Sequence, residues 1–418
     1  MRARHLLVAV LLLAGCSSGS GGSSNPTTTP STAAKGSKAN AGPAELVLRG
    51  HAYDVADPLP EGEAGELIAT RSVPPTKALG DARRTQLLYH SLDHRGRDSA
   101  VSGVLLVPPG TAPKGGWPLV SWAHGTTGVA DVCAPSTTPN LFYNEYAQEA
   151  RSFLDAGYAV VATDYHGLAT PGVHGYMVGD EEGNAVVDAA AAAHQADPSV
   201  GTTWFAVGHS EGGQAALFAT KVPLRGARTR PAAAVAIAPA NSLELALPAV
   251  AHGDAPADVV YGAYMIAGLG TVDPSVHLAD ELGAEGRKHQ DLILEDGCLL
   301  DSYDALDPEE VHEIFAMTDE RAQELSERIA RYGDPERHGV DGPVLVVQGA
   351  EDLDVPAAIT RNMVAGLEAK GDEVTYQEVP GRNHDQVVGP TICDQLDFLA
   401  AHGGVPAPGC TPHETDMS

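Results

Sequence analysis

A serine stands at the centre of residues 208–212, Gly-His-Ser-Glu-Gly, which match the pattern G-x-S-x-G. In this pattern the serine occupies a strained turn between a strand and a helix, and its hydroxyl is exposed as a nucleophile. Residues 202–207 predict the strand, and residues 214–220 predict the helix. The glycines on either side leave room for the turn, because a side chain there would clash. The sequence therefore predicts that Ser210 is a nucleophile.

The same five-position pattern occurs at residues 15–19, Gly-Cys-Ser-Ser-Gly, but its surroundings differ. Arg2 and Arg4 precede an apolar run over residues 6–13, which is the layout of a secretory signal peptide. This run is too short to span a membrane permanently. Ser17 is followed by residues rich in Ser, Gly, Thr and Pro, with no strand before it and no helix after it. Ser17 therefore lacks the context of a nucleophile.

The end of this leader reads Leu-Ala-Gly-Cys and resembles the lipobox of bacterial lipoproteins. The resemblance implies a signal peptide of residues 1–16 in which Cys16 carries the lipid and begins the mature chain. An ordinary secreted protein with a spare cysteine is the alternative. Residues 17–43 contain almost no large apolar side chains, so they predict a flexible linker.

A serine hydroxyl becomes an effective nucleophile when a histidine accepts its proton and a carboxylate orients that histidine. In enzymes with the G-x-S-x-G motif the acid precedes the histidine in the chain, and both follow the serine. Asp352 follows the predicted strand 344–348, and His384 follows the predicted strand 374–379 at a glycine-containing loop. Other candidates lie close by: Glu351 and Asp354 for the acid, and His402 and His413 for the histidine.

An oxyanion hole needs two N–H donors aimed at the oxygen on which negative charge develops. The backbone N–H of Glu211, directly after the nucleophile, is expected to supply one. The glycine-rich loop of residues 124–128, His-Gly-Thr-Thr-Gly, is expected to supply the other, from Thr126 or alternatively from Thr127. The side chain of His209, inside the motif, is expected to point away from the reacting face.

Strand and helix signals alternate along most of the chain, which predicts an α/β fold with a mostly parallel sheet. Residues 85–90 and 102–107 predict an antiparallel pair, and the later strands are short apolar runs typical of buried parallel strands. The predicted helices comprise residues 141–156, 182–196 and 214–220. The predicted buried strands lie within residues 117–125, 158–167, 202–207, 233–238, 344–348 and 374–379.

The alternation stops between residues 241 and 339, where helical signals prevail. Thr318 is placed to cap a helix with an apolar face, and residues 307–310, Asp-Pro-Glu-Glu, are typical of another helix start. An insertion of this kind is expected to form a helical cap over the carboxyl ends of the strands, where ligands bind in open α/β sheets. The predicted division is a core of residues 44–240 and 340–418 with a cap of residues 241–339.

Composition limits the class of protein. The 418 residues include 26 Lys and Arg against 55 Asp and Glu, for a net charge of −29. Phosphate contacts require a basic patch, so this balance excludes nucleic acid as the expected partner. No Cys-x-x-Cys spacing indicates a metal site, and the predicted chemistry needs no metal or organic cofactor.

The cysteines are informative because the leader predicts export. In an oxidising compartment an even number of cysteines predicts disulfides, and four of them allow three pairings. The four that follow Cys16 are Cys133, Cys298, Cys393 and Cys410.

Four separated stretches resemble the secretory lipase family, the group that includes the fungal lipase A enzymes. They are SWAHGTTGVADVCAPS, VVATDYHGLATPGVHGY, AVGHSEGGQAALFA and DGCLLDSY. The resemblance implies an α/β-hydrolase fold with a helical lid and activity on carboxylic esters, including acylglycerols. Carried over to this chain, it assigns the nucleophile to Ser210, the acid to Asp352 and the base to His384. It also implies one disulfide between Cys133 and Cys298, with Cys393 and Cys410 forming the other.

The predicted protein is thus an exported enzyme, lipid-anchored at the outer face of the cell membrane, that hydrolyses esters through an acyl-enzyme. Its expected partners are an ester or acylglycerol substrate and the membrane, and a monomer is the favoured state. An acyltransferase or a peptidase using the same three residues is the alternative. A lipoprotein that binds a hydrophobic ligand without turnover is the alternative outside the enzymes.

Overall fold

The computed structural model describes residues 43–252, 259–306 and 311–415. Ten strands form one sheet, and two short strands pair separately. In chain order the strands are β1 (Ala44–Glu45), β2 (Leu48–Arg49), β3 (Ala52–Tyr53), β4 (Leu67–Val73), β5 (Arg83–Leu92), β6 (Asp98–Val107), β7 (Trp117–Ala123), β8 (Ala159–Thr163), β9 (Val200–His209), β10 (Ala234–Ile237), β11 (Val344–Gly349) and β12 (Val374–Val379).

The order across the large sheet is β1-β4-β5-β6-β8-β7-β9-β10-β11-β12. Strand β6 runs antiparallel to β5 and β8, whereas neighbours from β8 through β7 to β12 are all parallel. Every residue of β8, β10 and β11 is buried, as expected for parallel strands covered on both faces. The sheet is therefore mostly parallel, as the sequence predicts.

Helices cover both faces because successive side chains of a strand point to opposite sides. Leu119 packs in the apolar cluster with helices α2, α3 and α12, and Val120 in the cluster with α1 and α13. In chain order the helices are α1 (Asn144–Asp155), α2 (Gly179–Ala196), α3 (Glu211–Ala219), α4 (Ala246–His252), α5 (Val259–Val272), α6 (Leu278–Glu281), α7 (Ala284–Lys288), α8 (Leu299–Ala305), α9 (Val311–Ile314), α10 (Asp319–Gly333), α11 (Pro335–His338), α12 (Ala357–Ala369) and α13 (Ile392–Ala401).

Helices α4 to α11 lie between β10 and β11, in the segment predicted as the cap. Side chains of this segment form an apolar core together with Tyr176 and Met177, which lie outside it. That core includes Tyr264, Ile266 and Leu325. Thr318 is the N-cap residue of α10, as predicted, because its hydroxyl accepts the backbone N–H of Arg321. The helix start predicted at residues 307–310 lies outside the described residues.

One prediction was wrong in detail, and one strand was not predicted. The helix predicted over residues 141–156 begins only at Asn144, because Leu141 and Phe142 have φ values of 57° and 79°. That left-handed backbone conformation is incompatible with a right-handed helix. Strand β4 was not predicted, because it lies near the sheet edge and owes its pairing to β5 rather than to its own apolar pattern.

Two disulfides are present. Cys133 is joined to Cys298, and Cys393 to Cys410, which is the pairing that the resemblance implies. The first bond links the segment after β7 to the start of α8, so it ties the core to the inserted helices. Among the described residues, no helix has the length and apolar character needed to cross a membrane.

Candidate active site

Ser210 forms the turn between β9 and α3, and its backbone has φ 57° and ψ −118°. This conformation is sparsely populated for a residue with a side chain, so the surrounding structure must hold it. The Ser210 N–H donates to the carbonyl of Ile237 at 2.9 Å, and its carbonyl accepts the N–H groups of Gln214 and Ala240, each at 3.1 Å. Bonds to α3 and to the neighbouring strand β10 thus fix the strained turn.

Two glycines of the motif are required by close backbone approach. A Cβ at Gly208 would lie 2.1 Å from the carbonyl oxygen of Gly212, and a Cβ at Gly212 would lie 1.9 Å from that of Ala123. These distances are far inside van der Waals contact, and the obstructing atoms are backbone. Any larger residue would therefore displace the turn that carries Ser210.

The structure brings Ser210, His384 and Asp352 together. The Nε2 of His384 lies 2.9 Å from Ser210 Oγ, and its Nδ1 lies 2.8 Å from Asp352 Oδ2. Both distances are within hydrogen-bonding range, with the imidazole between the hydroxyl and the carboxylate. This is the geometry in which a histidine accepts a proton from a serine while a carboxylate holds its orientation.

Asp352 is buried and held by several donors. Its Oδ1 accepts the backbone N–H groups of Asp354 at 3.0 Å and Val355 at 2.8 Å, while Oδ2 accepts the Gln348 side-chain amide at 2.7 Å. Of the three acids in this loop, Asp352 contacts the histidine, whereas Glu351 and Asp354 are exposed. The carboxylate therefore has a fixed position from which to orient His384.

The charge of Asp352 determines the protonation of His384. Burial alone lowers the pKa of His384, but the hydrogen bond to Asp352 and the negative charge of that carboxylate outweigh it. The net effect raises the pKa of His384 above its ordinary value. Asp352 thus stabilises the imidazolium that forms when His384 takes a proton.

The predicted oxyanion residues border the same serine. Glu211 is the first residue of α3, and the first N–H groups of a helix have no partner within it. Residues 124–128, hereafter the oxyanion loop, follow β7, and a Cβ at Gly125 would lie 3.3 Å from the Cβ of Ser210. Thr126 borders a cavity together with Ser210, whereas Thr127 borders neither cavity described below. Of the two candidates, Thr126 is thus the one that lies beside the cavity at Ser210.

The expectation for His209 was wrong, because its ring packs against His384 with centroids 4.8 Å apart. The ring turns inward because it has a polar partner on each side. Its Nε2–H donates to the carbonyl of His384 at 3.2 Å, and its Nδ1 accepts the hydroxyl of Tyr146 at 3.1 Å. That hydroxyl in turn accepts the N–H of Gly125 at 3.0 Å. Tyr146 and His209 thus connect the oxyanion loop to the loop of His384, a contact that no sequence spacing indicates.

The side chain of Glu211 points into the protein and pairs with a buried histidine. Its Oε1 lies 2.9 Å from His174 Nε2, and the His174 Nδ1–H donates to the carbonyl of His166 at 2.9 Å. Glu182 also lies in this cluster, where burial and the charge of Glu211 raise its pKa well above the ordinary value. The Glu211–His174 pair anchors the start of α3 behind Ser210.

Two cavities meet at Ser210 and His384 and share Tyr261 and Asp354. The first, the apolar cavity, has a volume of about 340 Å³. The second, the acidic cavity, has a volume of about 410 Å³. The apolar cavity is bordered by apolar side chains from the segment between β10 and β11, namely Leu243, Val250 and Met265. It is also bordered by Val355 and Ile359, which follow β11. The acidic cavity is bordered by aromatic and acidic side chains, namely Phe142, Tyr143, Tyr303, Glu145 and Asp385.

The chain is similar to known proteins in one segment of its sequence and in its fold. Residues 148–227 match the family described as secretory lipase. No protein of curated function matches the sequence significantly. The fold is similar to that of Candida antarctica lipase A in its closed state, with a TM-score of 0.65 and 20% identity over 84% of this chain and 86% of that one.

Two bacterial structures are also similar. The rice cell wall degrading esterase LipA from Xanthomonas oryzae has a TM-score of 0.64 and 19% identity over 81% of this chain and 99% of its own. A putative hydrolase from Legionella pneumophila has a TM-score of 0.66 and 18% identity over 82% and 99%. The family match supports the expected class of carboxylic ester hydrolase, and it fits, with the two disulfides, an extracellular protein. The chain is thus similar to the secretory lipases in residues 148–227, and its fold is similar to that of known lipases and esterases.

Proposed function

We propose that this chain hydrolyses carboxylic esters through an acyl-enzyme formed on Ser210. The observation that carries the proposal is the pair of hydrogen bonds, 2.9 and 2.8 Å long, that joins Ser210 to His384 and His384 to Asp352. The strained backbone of Ser210 adds to it, because this conformation presents the hydroxyl at the meeting point of two cavities.

In the first half of the reaction, Ser210 Oγ attacks the ester carbonyl while His384 Nε2 takes the hydroxyl proton. The carbonyl oxygen becomes negative and accepts the backbone N–H groups of Glu211 and Thr126. The bond to the alcohol oxygen then breaks, and His384 gives its proton to the departing alcohol. The product of this half is an ester of Ser210 and the free alcohol.

In the second half, His384 removes a proton from water, and the resulting hydroxide oxygen attacks the acyl carbonyl. The same two N–H groups hold the oxyanion again. Breakdown of this intermediate returns the proton from His384 to Ser210 Oγ and releases the carboxylic acid. Asp352 orients the imidazole and stabilises its positive charge in both halves, and no other group changes its covalent bonding.

The apolar cavity suits the acyl chain, because the side chains of Leu243, Val250 and Met265 offer no hydrogen bond that a polar group would need. The alcohol then departs through the acidic cavity. An ester panel graded by acyl-chain length tests this assignment, and replacing Met265 with Trp is expected to impair long acyl chains more than acetate.

Labelling and turnover test the proposal together. Ser210→Ala is expected to lower hydrolysis of p-nitrophenyl butyrate by a factor on the order of a million, as triad knockouts do. A fluorophosphonate probe is expected to label wild-type Ser210 and not the variant. Ser17→Ala is the matched control, since Ser17 stands in the second G-x-S-x-G match and should have no effect. Full turnover by Ser210→Ala would overturn the proposal.

An acyltransferase or a peptidase remains the alternative, because the same three residues serve those reactions. Matched esters and amides, each assayed with and without an added alcohol acceptor, distinguish them. Faster cleavage of the amides would establish a peptidase, and dominant transfer to the alcohol over water would establish a transferase.

We further propose that residues 1–16 direct export and that Cys16 carries a lipid at the outer face of the cell membrane. The support is the Leu-Ala-Gly-Cys sequence after the apolar run. Cys16→Ser is expected to abolish incorporation of labelled palmitate and to release the protein from membranes. Membrane retention without label incorporation would contradict the lipid anchor.

A further inference from the structure

The acidic cavity, which adjoins Ser210, is lined by both carboxylates and aromatic rings. The carboxylates of Asp354 and Asp385 border it, together with the rings of Phe142 and Tyr261. Among the described residues that line it, none is a lysine or an arginine. A ligand in this cavity therefore meets negative charge and aromatic surface.

Several hydrogen-bond donors around this cavity are already engaged within the protein. The Tyr143 hydroxyl donates to a carbonyl of the oxyanion loop at 3.1 Å, and the Tyr146 hydroxyl bonds to His209 Nδ1. The Asn140 amide donates to the Asn144 side chain at 3.0 Å. A polyhydroxylated alcohol needs donors as well as acceptors, because each hydroxyl is both. The cavity therefore suits a polyol less well than a group that needs only negative partners.

Among the described residues, neither Asp354 nor Asp385 forms an ion pair with a lysine or an arginine. A carboxylate oxygen of each lies within 4.8 Å of a ring nitrogen of His384. Burial raises the pKa of Asp385, the positive charge of His384 opposes this, and the charges of Asp354 and Asp352 add to the rise. A bound cation would relieve this repulsion.

We propose that the physiological alcohol is cationic, an amino alcohol or quaternary ammonium alcohol whose positive charge binds in the acidic cavity. Aromatic rings attract such groups through their π faces, and the carboxylates add direct charge attraction. The net charge of −29 also favours the approach of a cationic ester. This inference rests on the proposed ester hydrolase and specifies its substrate class.

The position of Asp385 agrees with a short spacer between ester and cation. Polar atoms of Asp385, His384 and His209 lie within 4.8 Å of one another. The departing alcohol oxygen must lie beside His384 to receive its proton, so we expect a charge two carbon atoms away along the alcohol to lie near Asp385. Choline and its amine relatives have this spacing.

A matched pair of substrates tests the inference. Butyrylcholine and 3,3-dimethylbutyl butyrate have nearly the same shape and differ in the positive charge. The wild-type kcat/KM is expected to favour butyrylcholine by on the order of tenfold, and the preference should shrink at high salt. Choline chloride is likewise expected to inhibit hydrolysis of p-nitrophenyl butyrate more strongly than 3,3-dimethylbutan-1-ol does.

Variants locate the effect. Asp354→Asn combined with Asp385→Asn is expected to bring the ratio of the two kcat/KM values close to one. The ratio is the readout, because a change in the triad itself alters both substrates alike. Glu351→Gln is the matched control, since it removes one negative charge from an exposed position in the same loop that borders neither cavity.

The outcomes separate this inference from the proposed function. Equal rates for the two esters, or faster cleavage of the neutral ester or of glycerol monobutyrate, would overturn the cationic alcohol and leave ester hydrolysis intact. A choline preference that survives in the double variant would overturn the role of these carboxylates. Failure of correctly folded protein to hydrolyse any of the esters would overturn the proposed function and this inference together.

Discussion

His209 donates a hydrogen bond from its Nε2 to the backbone carbonyl of His384, at 3.2 Å. Burial and the neighbouring charge of His384 hold the pKa of His209 well below its ordinary value. His209 is therefore neutral, and its single N–H is committed to this contact, while its Nδ1 accepts from Tyr146. The residue before the nucleophile thus supports the residue that activates it.

Removing this support is expected to slow catalysis without preventing folding. In His209→Phe the ring volume stays similar, but the bonds to His384 and Tyr146 are lost. The loss of a hydrogen bond worth about 1 kcal/mol predicts a fall in kcat of roughly fivefold to tenfold, with little change in KM. His402→Phe is the control, because His402 also contacts an aromatic ring and a carbonyl but borders neither cavity. Equal effects of the two variants would contradict a positioning role.

The pH dependence of kcat/KM should depend on the hydrogen bond between Asp352 and His384. Catalysis needs neutral His384, so kcat/KM is expected to rise with pH through the pKa of this residue. Since Asp352 raises that pKa, the rise should lie above the ordinary histidine value of about 6.5. Asp352→Asn removes the negative charge, so the rise should move to lower pH while the plateau falls by about 10⁴.

Glu351→Gln serves as the control for the profile, because it neutralises an exposed neighbour that does not contact His384. It should leave both the midpoint and the plateau in place. An Asp352→Asn profile with an unshifted midpoint would show that Asp352 does not set the pKa of His384.

The disulfide between Cys133 and Cys298 is expected to affect turnover as well as stability. Directly after Cys298, the N–H of Leu299 donates to the carbonyl of Thr127 at 2.8 Å, so the bond holds a segment that supports the oxyanion loop. Replacing both cysteines by serine should lower kcat and also reduce the free energy of unfolding by about 5 kcal/mol in the chain-entropy model.

The second disulfide provides the comparison. Cys393 and Cys410 close a much shorter stretch of chain away from both cavities. Their replacement by serine should cost about 3 kcal/mol of stability and leave kcat unchanged below the unfolding transition. A loss of kcat in both double variants, or in neither, would rule out a specific effect on the oxyanion loop.

Glu149 makes the stability of the fold depend on pH. It is fully buried in α1, where desolvation raises its pKa to about 8, with an opposing contribution from the nearby Gln395 side chain. The folded state holds the proton at pH values where the unfolded chain, with a pKa near 4.5, has lost it. The contribution of Glu149 to stability should therefore decline as pH rises from about 4.5 to about 8.

Glu149→Gln removes this dependence, because the amide stays neutral. The variant should unfold much like the wild type at pH 5 and be more stable at pH 8, by an amount on the order of a few kcal/mol. Urea unfolding at the two pH values measures the difference. Glu368→Gln, an exposed change on α12, should follow the wild type at both. Parallel pH dependence of Glu149→Gln and the wild type would contradict a neutral buried Glu149.

Much of the sheet and the positions of Ser210, Asp352 and His384 could be predicted, because the sequence patterns that indicate them are local. The turn at Ser210 requires its glycines, and Asp352 and His384 each follow a strand whose apolar run marks where it ends. The contacts of His209 and Glu211 could not be predicted, because they depend on Tyr146 and His174 arriving from distant parts of the chain. The start of α1 was predicted too early, because Leu141 and Phe142 fit the apolar spacing of a helix but lie in a turn with positive φ.

The disulfide between Cys133 and Cys298 bears on the stage at which the protein becomes fully active. Under the export proposed above, thiols stay reduced in the compartment of synthesis, and this bond forms after translocation. Until then the oxyanion loop lacks its covalent brace, and the chain would be a poor catalyst toward the esters of the cell that makes it. Oxidation would thus act as a one-time maturation step that couples full activity to arrival outside the cell.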